Sequence, residues 1–151
     1  MKGFALIEVL ISALIFSFII AGIYGIMNIV NISFPIDLGL LDLQQQARQG
    51  MAWITKETRE SSWANPGNIG TCAGSISFNT PNETGIQYYL SASQLVREYP
   101  AGTTKVVAQN ITCLKFSQSG KVLDIQITAN KTVLLKPLSF SLREKVRLRN
   151  E

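Results

Sequence analysis

Three groups of side chains in this sequence have the type and spacing to do chemistry. The first is Glu8, a carboxylate set in an otherwise apolar run. A charged side chain in the lipid-facing part of a helix costs roughly 2.5–3.5 kcal/mol at the bilayer centre and less near an interface, and such residues are normally paired. Lys2 is the only cation nearby. A cut after Gly3 would give Phe4 a free amino group, and that new cation could neutralise Glu8 of a neighbouring chain in a low-dielectric bundle. The second group is Cys72 and Cys113, 41 positions apart, too far for a C-x-x-C zinc or redox motif. They are either one disulfide, which an exported domain would favour, or two reduced thiols buried as small apolar residues. The third is Arg143, Lys145, Arg147 and Arg149, which alternate along one stretch and share a face if it is a regular strand. That face could bind DNA phosphates, lipid headgroups or an acidic neighbour; the plainer reading is a solvated face that protects a sheet edge.

The rest of the composition narrows the field. The 151 residues contain no histidine, which excludes a histidine triad, metal site or proton shuttle. A net charge of +4 is too small an excess to imply nucleic-acid binding by itself. No glycine-rich phosphate loop and no paired-carboxylate site is present. Asp37 and Asp42 are too few for calcium, which takes six to eight oxygens. No cofactor or metal is expected, and no enzyme activity.

The elements that must position these residues follow from periodicity. No charged residue occurs from Val9 to Ile36, more than the ~20 apolar residues that cross a bilayer as a helix. The run is too long for the apolar region of a secretory signal peptide, and no small-x-small cleavage site follows it. Lys2 orients the N-terminus weakly towards the cytoplasm, which would export the remainder. Gly22 and Gly25 would either loosen this helix or allow close helix approach. Pro35 and Gly39 predict a break or kink near Ser33–Gly39. An amphipathic helix is expected from about Leu40 to Ser62, with Leu40, Leu43, Ala47, Met51, Ile54 and Thr58 on its inner face. Local ion pairs around Lys56, Glu57 and Glu60 would add tenths of a kcal/mol. Trp53 and Trp63 are expected as core or edge residues, and Asn65-Pro66-Gly67-Asn68 as a turn. From residue 74 the period becomes two: Ile76 and Phe78, then Ile86, Tyr88 and Leu90, then Leu95–Tyr99, Lys105–Val107, Cys113–Phe116, Val122–Ile127 and a last strand through Leu138, Phe140, Leu142, Val146 and Leu148. The expected fold class is α+β: a long N-terminal helix, then an amphipathic helix packed on a mainly antiparallel sheet.

The N-terminal segment Gly3-Phe4-Ala5-Leu6-Ile7-Glu8 resembles the processing motif of type IV prepilins and type II secretion pseudopilins. The resemblance implies cleavage after Gly3 by a prepilin peptidase, N-methylation of Phe4 by the same enzyme, and a role for Glu8 in assembly. Ala5 departs from the threonine usual in the family. The resemblance further implies a domain plan of leader 1–3, membrane and filament-core helix 4–34, linker and amphipathic helix 35–64, and β-rich globular domain 65–151. It implies a single-pass protein of the bacterial inner membrane with its domain outside the cytoplasm, later part of a filament in the periplasm or at the cell surface. Other pilin or pseudopilin subunits and an inner-membrane assembly platform would be its partners. More loosely, Gln44-Gln45-Gln46-Ala47-Arg48, Tyr88-Tyr89-Leu90, Leu95-Val96-Arg97 and Arg147-Leu148-Arg149-Asn150 look like minor subunits of the pseudopilin J and pilin W type. A structural subunit is therefore the leading expectation, and a minor pilin that captures DNA or a surface through the basic strand is the alternative.

Overall fold

In the computed structural model the described residues are 4–61 and 63–148, with side chains described from Leu6 onward. Helix α1 runs unbroken from Phe4 to Glu60. The helix does not break near Ser33–Gly39: Pro35 lies inside it. A proline removes one backbone donor and crowds the preceding turn. Long helix-forming stretches on both sides propagate through that single defect, since nucleation rather than extension is the costly step. Gly39 belongs to the helix for a packing reason. A Cβ there would stand 2.7 Å from Val133 Cγ2 and 3.1 Å from Leu138 Cδ1.

The chain divides into two compact units, one up to Leu38 and one from Gly39 onward, with α1 contributing to both. In the first, every described side chain from Leu6 to Phe34 is exposed. This stretch is long and apolar enough to cross a membrane, and none of it is buried.

The second unit packs the remaining turns of α1 against two antiparallel sheets rather than one. Strands β1 (Trp63–Gly67), β2 (Ser75–Asn79), β3 (Ile86–Ser91), β4 (Gln94–Glu98) and β5 (Thr104–Gln109) form a five-stranded meander in that order. Strands β6 (Ile111–Ser119), β7 (Val122–Val133) and β8 (Lys136–Arg147) form the second sheet. A single residue separates β5 from β6. That residue, Asn110, has a φ of 59°, a left-handed conformation that asparagine tolerates better than most residues. It turns the chain out of one sheet, and its carbonyl accepts the Asn130 N–H in the other at 2.9 Å. The segment expected to be a turn at Asn65–Gly67 is strand instead. Pro66 is admissible there because β1 is the sheet's edge, where a missing N–H need not face a partner. The turn comes next, with Thr71 N–H donating to the Asn68 carbonyl at 3.1 Å.

The core collects one face of α1 and the inward residues of both sheets. Leu43, Ala47 and Ile54 are fully buried on the helix, as are Phe78, Ile86, Tyr88 and Leu95 from the larger sheet and Leu114, Phe116, Leu123, Ile125 and Ile127 from the smaller. Leu40 is only half-buried, and Gly39 takes the inner position. Gly50 marks where α1 approaches closest, since a Cβ there would meet Leu95 Cδ2 at 2.8 Å. Trp53 is half-buried with the Lys105 ammonium 4.6 Å from its ring centroid, and Trp63 is exposed on β1.

A seam joins the two sheets. Between β1 and β2 the chain runs along β6: Gly70 N–H donates to the Phe116 carbonyl at 3.1 Å, Leu114 N–H to the Cys72 carbonyl at 3.1 Å and Gly74 N–H to the Leu114 carbonyl at 2.8 Å. Cys72 and Cys113 form a disulfide across this seam. Gly74 permits the close approach, because a Cβ would lie 2.5 Å from the Leu114 carbonyl oxygen.

Candidate assembly site and the basic strand

The N-terminal candidate site lies on the first two turns of α1. Phe4 opens the helix, while Gly3 and the side chain of Phe4 lie outside the described residues. Glu8 is exposed, and its carboxylate has no hydrogen-bond or ion-pair partner among the described residues. Only its backbone carbonyl is engaged locally, accepting the Ser12 hydroxyl at 2.7 Å. The same device recurs one and a half turns on, where Ser17 donates to the Ala13 carbonyl at 2.8 Å. Each serine thus satisfies its hydroxyl within the helix, as a polar group facing lipid or a packed bundle must. Glu8 and Ser12 border a shallow groove completed by Val9, Ala13 and Phe16.

The basic strand is built as expected up to a point. Arg143, Lys145 and Arg147 are exposed on one face of β8, while Val146 and Leu148 are buried on the other side. Arg149 lies outside the described residues. The face is less cationic than the sequence implies. Asp124, on the neighbouring strand, accepts two bonds from Arg143, at 2.8 Å from Nε and 2.6 Å from Nη2. These bonds hold the Asp124 carboxyl below its ordinary range and push the guanidinium up. Lys145 stands directly opposite Asp124 in the ladder and adds to its stabilisation. Arg147 alone among the three has no partner among the described residues. Glu144, which looks out of place in the sequence, points back to α1 and accepts the Arg59 guanidinium at 2.9 Å.

A polar cluster that the sequence does not advertise lies between α1 and the larger sheet. Glu57 accepts the Tyr88 hydroxyl at 2.8 Å and Arg97 Nε at 2.9 Å, and Arg97 also binds Glu83. The pairing around Lys56 expected within the helix gives way to this long-range use of Glu57. Burial, with the Glu57 carboxylate beside it, drives the Tyr88 phenol well above the usual tyrosine range. Burial opposes the Arg97 charge, but its bonds to Glu57 outweigh that and raise it. The only sequence signal was Tyr88 at an inward strand position, where a hydroxyl needs a partner. The cluster is a clamp: two acids hold one arginine, and its position ties strands β3 and β4 to the helix.

Residues 1–24 match the family described as the prokaryotic N-terminal methylation motif. No curated protein and no solved structure matches the chain. The motif, the long apolar helix that carries it and the antiparallel sheets that follow together support membership of the type IV pilin and pseudopilin family.

Proposed function

We propose that the chain is a minor pilin or pseudopilin, made as a membrane-anchored precursor, clipped after Gly3, methylated on Phe4 and assembled through α1 into a type IV pilus or type II secretion pseudopilus, at the tip or in initiation. The observation that carries this reading is the methylation motif placed directly on an apolar helix whose side chains are all exposed from Leu6 to Phe34. Such a surface needs lipid before assembly and sister helices after it. The inner membrane, a prepilin peptidase and an assembly platform are the surroundings this life cycle requires. The globular unit stands outside the cytoplasm, in keeping with its disulfide. In the filament the Phe4 amine of one subunit neutralises Glu8 of the next and sets the axial register.

The test is Glu8→Gln expressed in a cell that assembles the wild-type chain. Clipping and membrane insertion stay normal, and incorporation into filaments falls. Normal incorporation contradicts the pairing. The DNA- or surface-capture alternative rests on the basic strand, where Asp124 already offsets Arg143 and Lys145. Salt-sensitive DNA binding lost on neutralising Arg143, Lys145, Arg147 and Arg149 would revive it.

A further inference from the structure

The two-residue turn between β7 and β8 consists of Leu134 and Leu135, closed by the pair Val133 and Lys136. Both leucines are left-handed, with φ of 48° and 64°. A two-residue hairpin turn of this hand is normally Asn-Gly or Asp-Gly, because those residues take positive φ at little cost. Leucine in this conformation is strained. Packing does not compensate the strain, since the two side chains are 60% and 96% exposed. Two large apolar groups thus stand in water on a strained turn, a combination expected where a surface is reserved for contact.

The position of the turn indicates what it contacts. The β7–β8 hairpin runs antiparallel to α1 within the second unit: Ile127 reaches Gly50, Lys131 donates to Asp42 at 2.8 Å, and Val133 lies against Gly39. The turn is therefore at the end of the unit where the chain enters from the apolar segment. Gly39 stands three positions after Ile36, the last of the uncharged run, a helical rise of about 4.5 Å. The 28 residues from Val9 to Ile36 rise about 42 Å as a helix, which equals a whole bilayer of about 40–45 Å including its headgroups. With that run spanning, Ile36 falls at the outer edge of the headgroup layer, three positions before the start of the unit whose entry end carries the leucine turn. Lys136 is exposed beside the turn, and no acidic residue occurs from Lys131 to Arg143. A lysine flanking two apolar side chains suits a headgroup phosphate, with the alkyl stem lying along the lipid.

We propose that, in the membrane-anchored form, Leu134 and Leu135 dip into the headgroup layer of the bilayer and dock the globular unit on it, with Lys136 at the lipid phosphates. This rests on the membrane-anchor reading above. Extraction into a filament would withdraw the turn from lipid, so docking resists the release of each subunit.

The test uses the full chain reconstituted in vesicles of phosphatidylethanolamine and phosphatidylglycerol. Both native cysteines are bonded to each other, so a polarity-sensitive dye can be placed on Leu135→Cys, on Ser119→Cys at the far end of the smaller sheet, or on Ser17→Cys in the apolar helix. Lipids spin-labelled near the headgroup should quench the dye at 135 severalfold more than at 119, while deep spin labels quench it at 17. Quenching at 17 with equal, weak quenching at 135 and 119 overturns the proposal and leaves the anchor reading intact. No quenching at 17 overturns the anchor reading and the proposal with it. A dye at 135 that is shielded from water but not by lipid, in proportion to protein concentration, assigns the turn to a second copy and also overturns the proposal. As a second variant, Leu134→Asn with Leu135→Gly keeps the hairpin in a favourable turn. A dye on Lys136→Cys should lose most of its headgroup quenching in that background, and undiminished quenching would contradict a role for the leucines.

Discussion

Phe16 and Phe116 are the same side chain in opposite situations. Phe16 is 64% exposed on α1, and Phe116 is fully buried on β6 of the smaller sheet. The contrast holds for their whole regions. From Leu6 to Phe34 the described side chains are an exposed, mostly apolar surface, which on the function proposed above lipid or sister helices would cover. From Gly39 onward the chain covers itself, with a core fed by both sheets, a disulfide seam and long-range ion pairs. On that reading assembly belongs to one region and self-sufficiency to the other. They share one helix and can be perturbed separately.

The largest separation should come from truncating these two phenylalanines. Phe116→Ala should destabilise the globular unit by about 3–5 kcal/mol, the usual cost of emptying a buried aromatic site, in denaturant unfolding followed by near-ultraviolet circular dichroism. Phe16→Ala should leave that transition where it is and weaken only membrane or filament packing. Next is the half-buried clamp. Glu57→Ala leaves Arg97 with Glu83 alone and the Tyr88 hydroxyl without its acceptor, and should cost about 1.5–3 kcal/mol, the range for losing hydrogen bonds to a charged group, with clipping after Gly3 unaffected.

The leucine turn sharpens the comparison by running in the other direction. Replacing Leu134 and Leu135 with Asn and Gly relieves two left-handed leucines at roughly 1–2 kcal/mol each. It should therefore raise the unfolding temperature of the detergent-solubilised protein, at the expense of whatever the leucines touch. An unchanged or lower temperature would mean that the turn is not strained. The smallest effect belongs to the exposed pair on the basic strand. Arg143 depresses the Asp124 pKa below its ordinary 3.8. The folded state therefore binds that proton less readily than the unfolded one, and the pair's contribution is present above the ordinary value and lost as pH falls through the depressed one. The stability difference between wild type and Asp124→Asn should be small at neutral pH, close on acidification below about pH 4 and shrink in salt.

Much of this was legible in the residues. The uncharged run, the acid at position 8 and the period-two segments after residue 74 are local patterns, and helix, strand and motif follow from them directly. What stayed hidden was non-local. Pro35 and Gly39 read as breakers because propensity is scored one residue at a time, whereas the helix is held by the stretches on both sides and by Val133 packed against Gly39. Asn65–Gly67 read as a turn because Pro66 cannot complete a ladder, and only its place at a sheet edge makes it strand. The division into two sheets falls at Asn110, whose left-handed conformation lies between β5 and β6. Leu134-Leu135 carried no turn signal at all, because leucine is the wrong residue for that backbone. Asp124 looked like an ordinary polar strand position until the register set it beside Arg143 and Lys145. Spacing within β8 predicted the shared face of the cations but could not predict their neutralisation from β7.

The most direct measurement of the central claim is intact-mass spectrometry of the chain recovered from assembled filaments. The account predicts a polypeptide beginning at Phe4 and heavier by one methyl group on its amine, with Glu8 and the whole apolar helix retained. A chain in filaments that still begins at Met1, or one trimmed past the apolar helix, would contradict it.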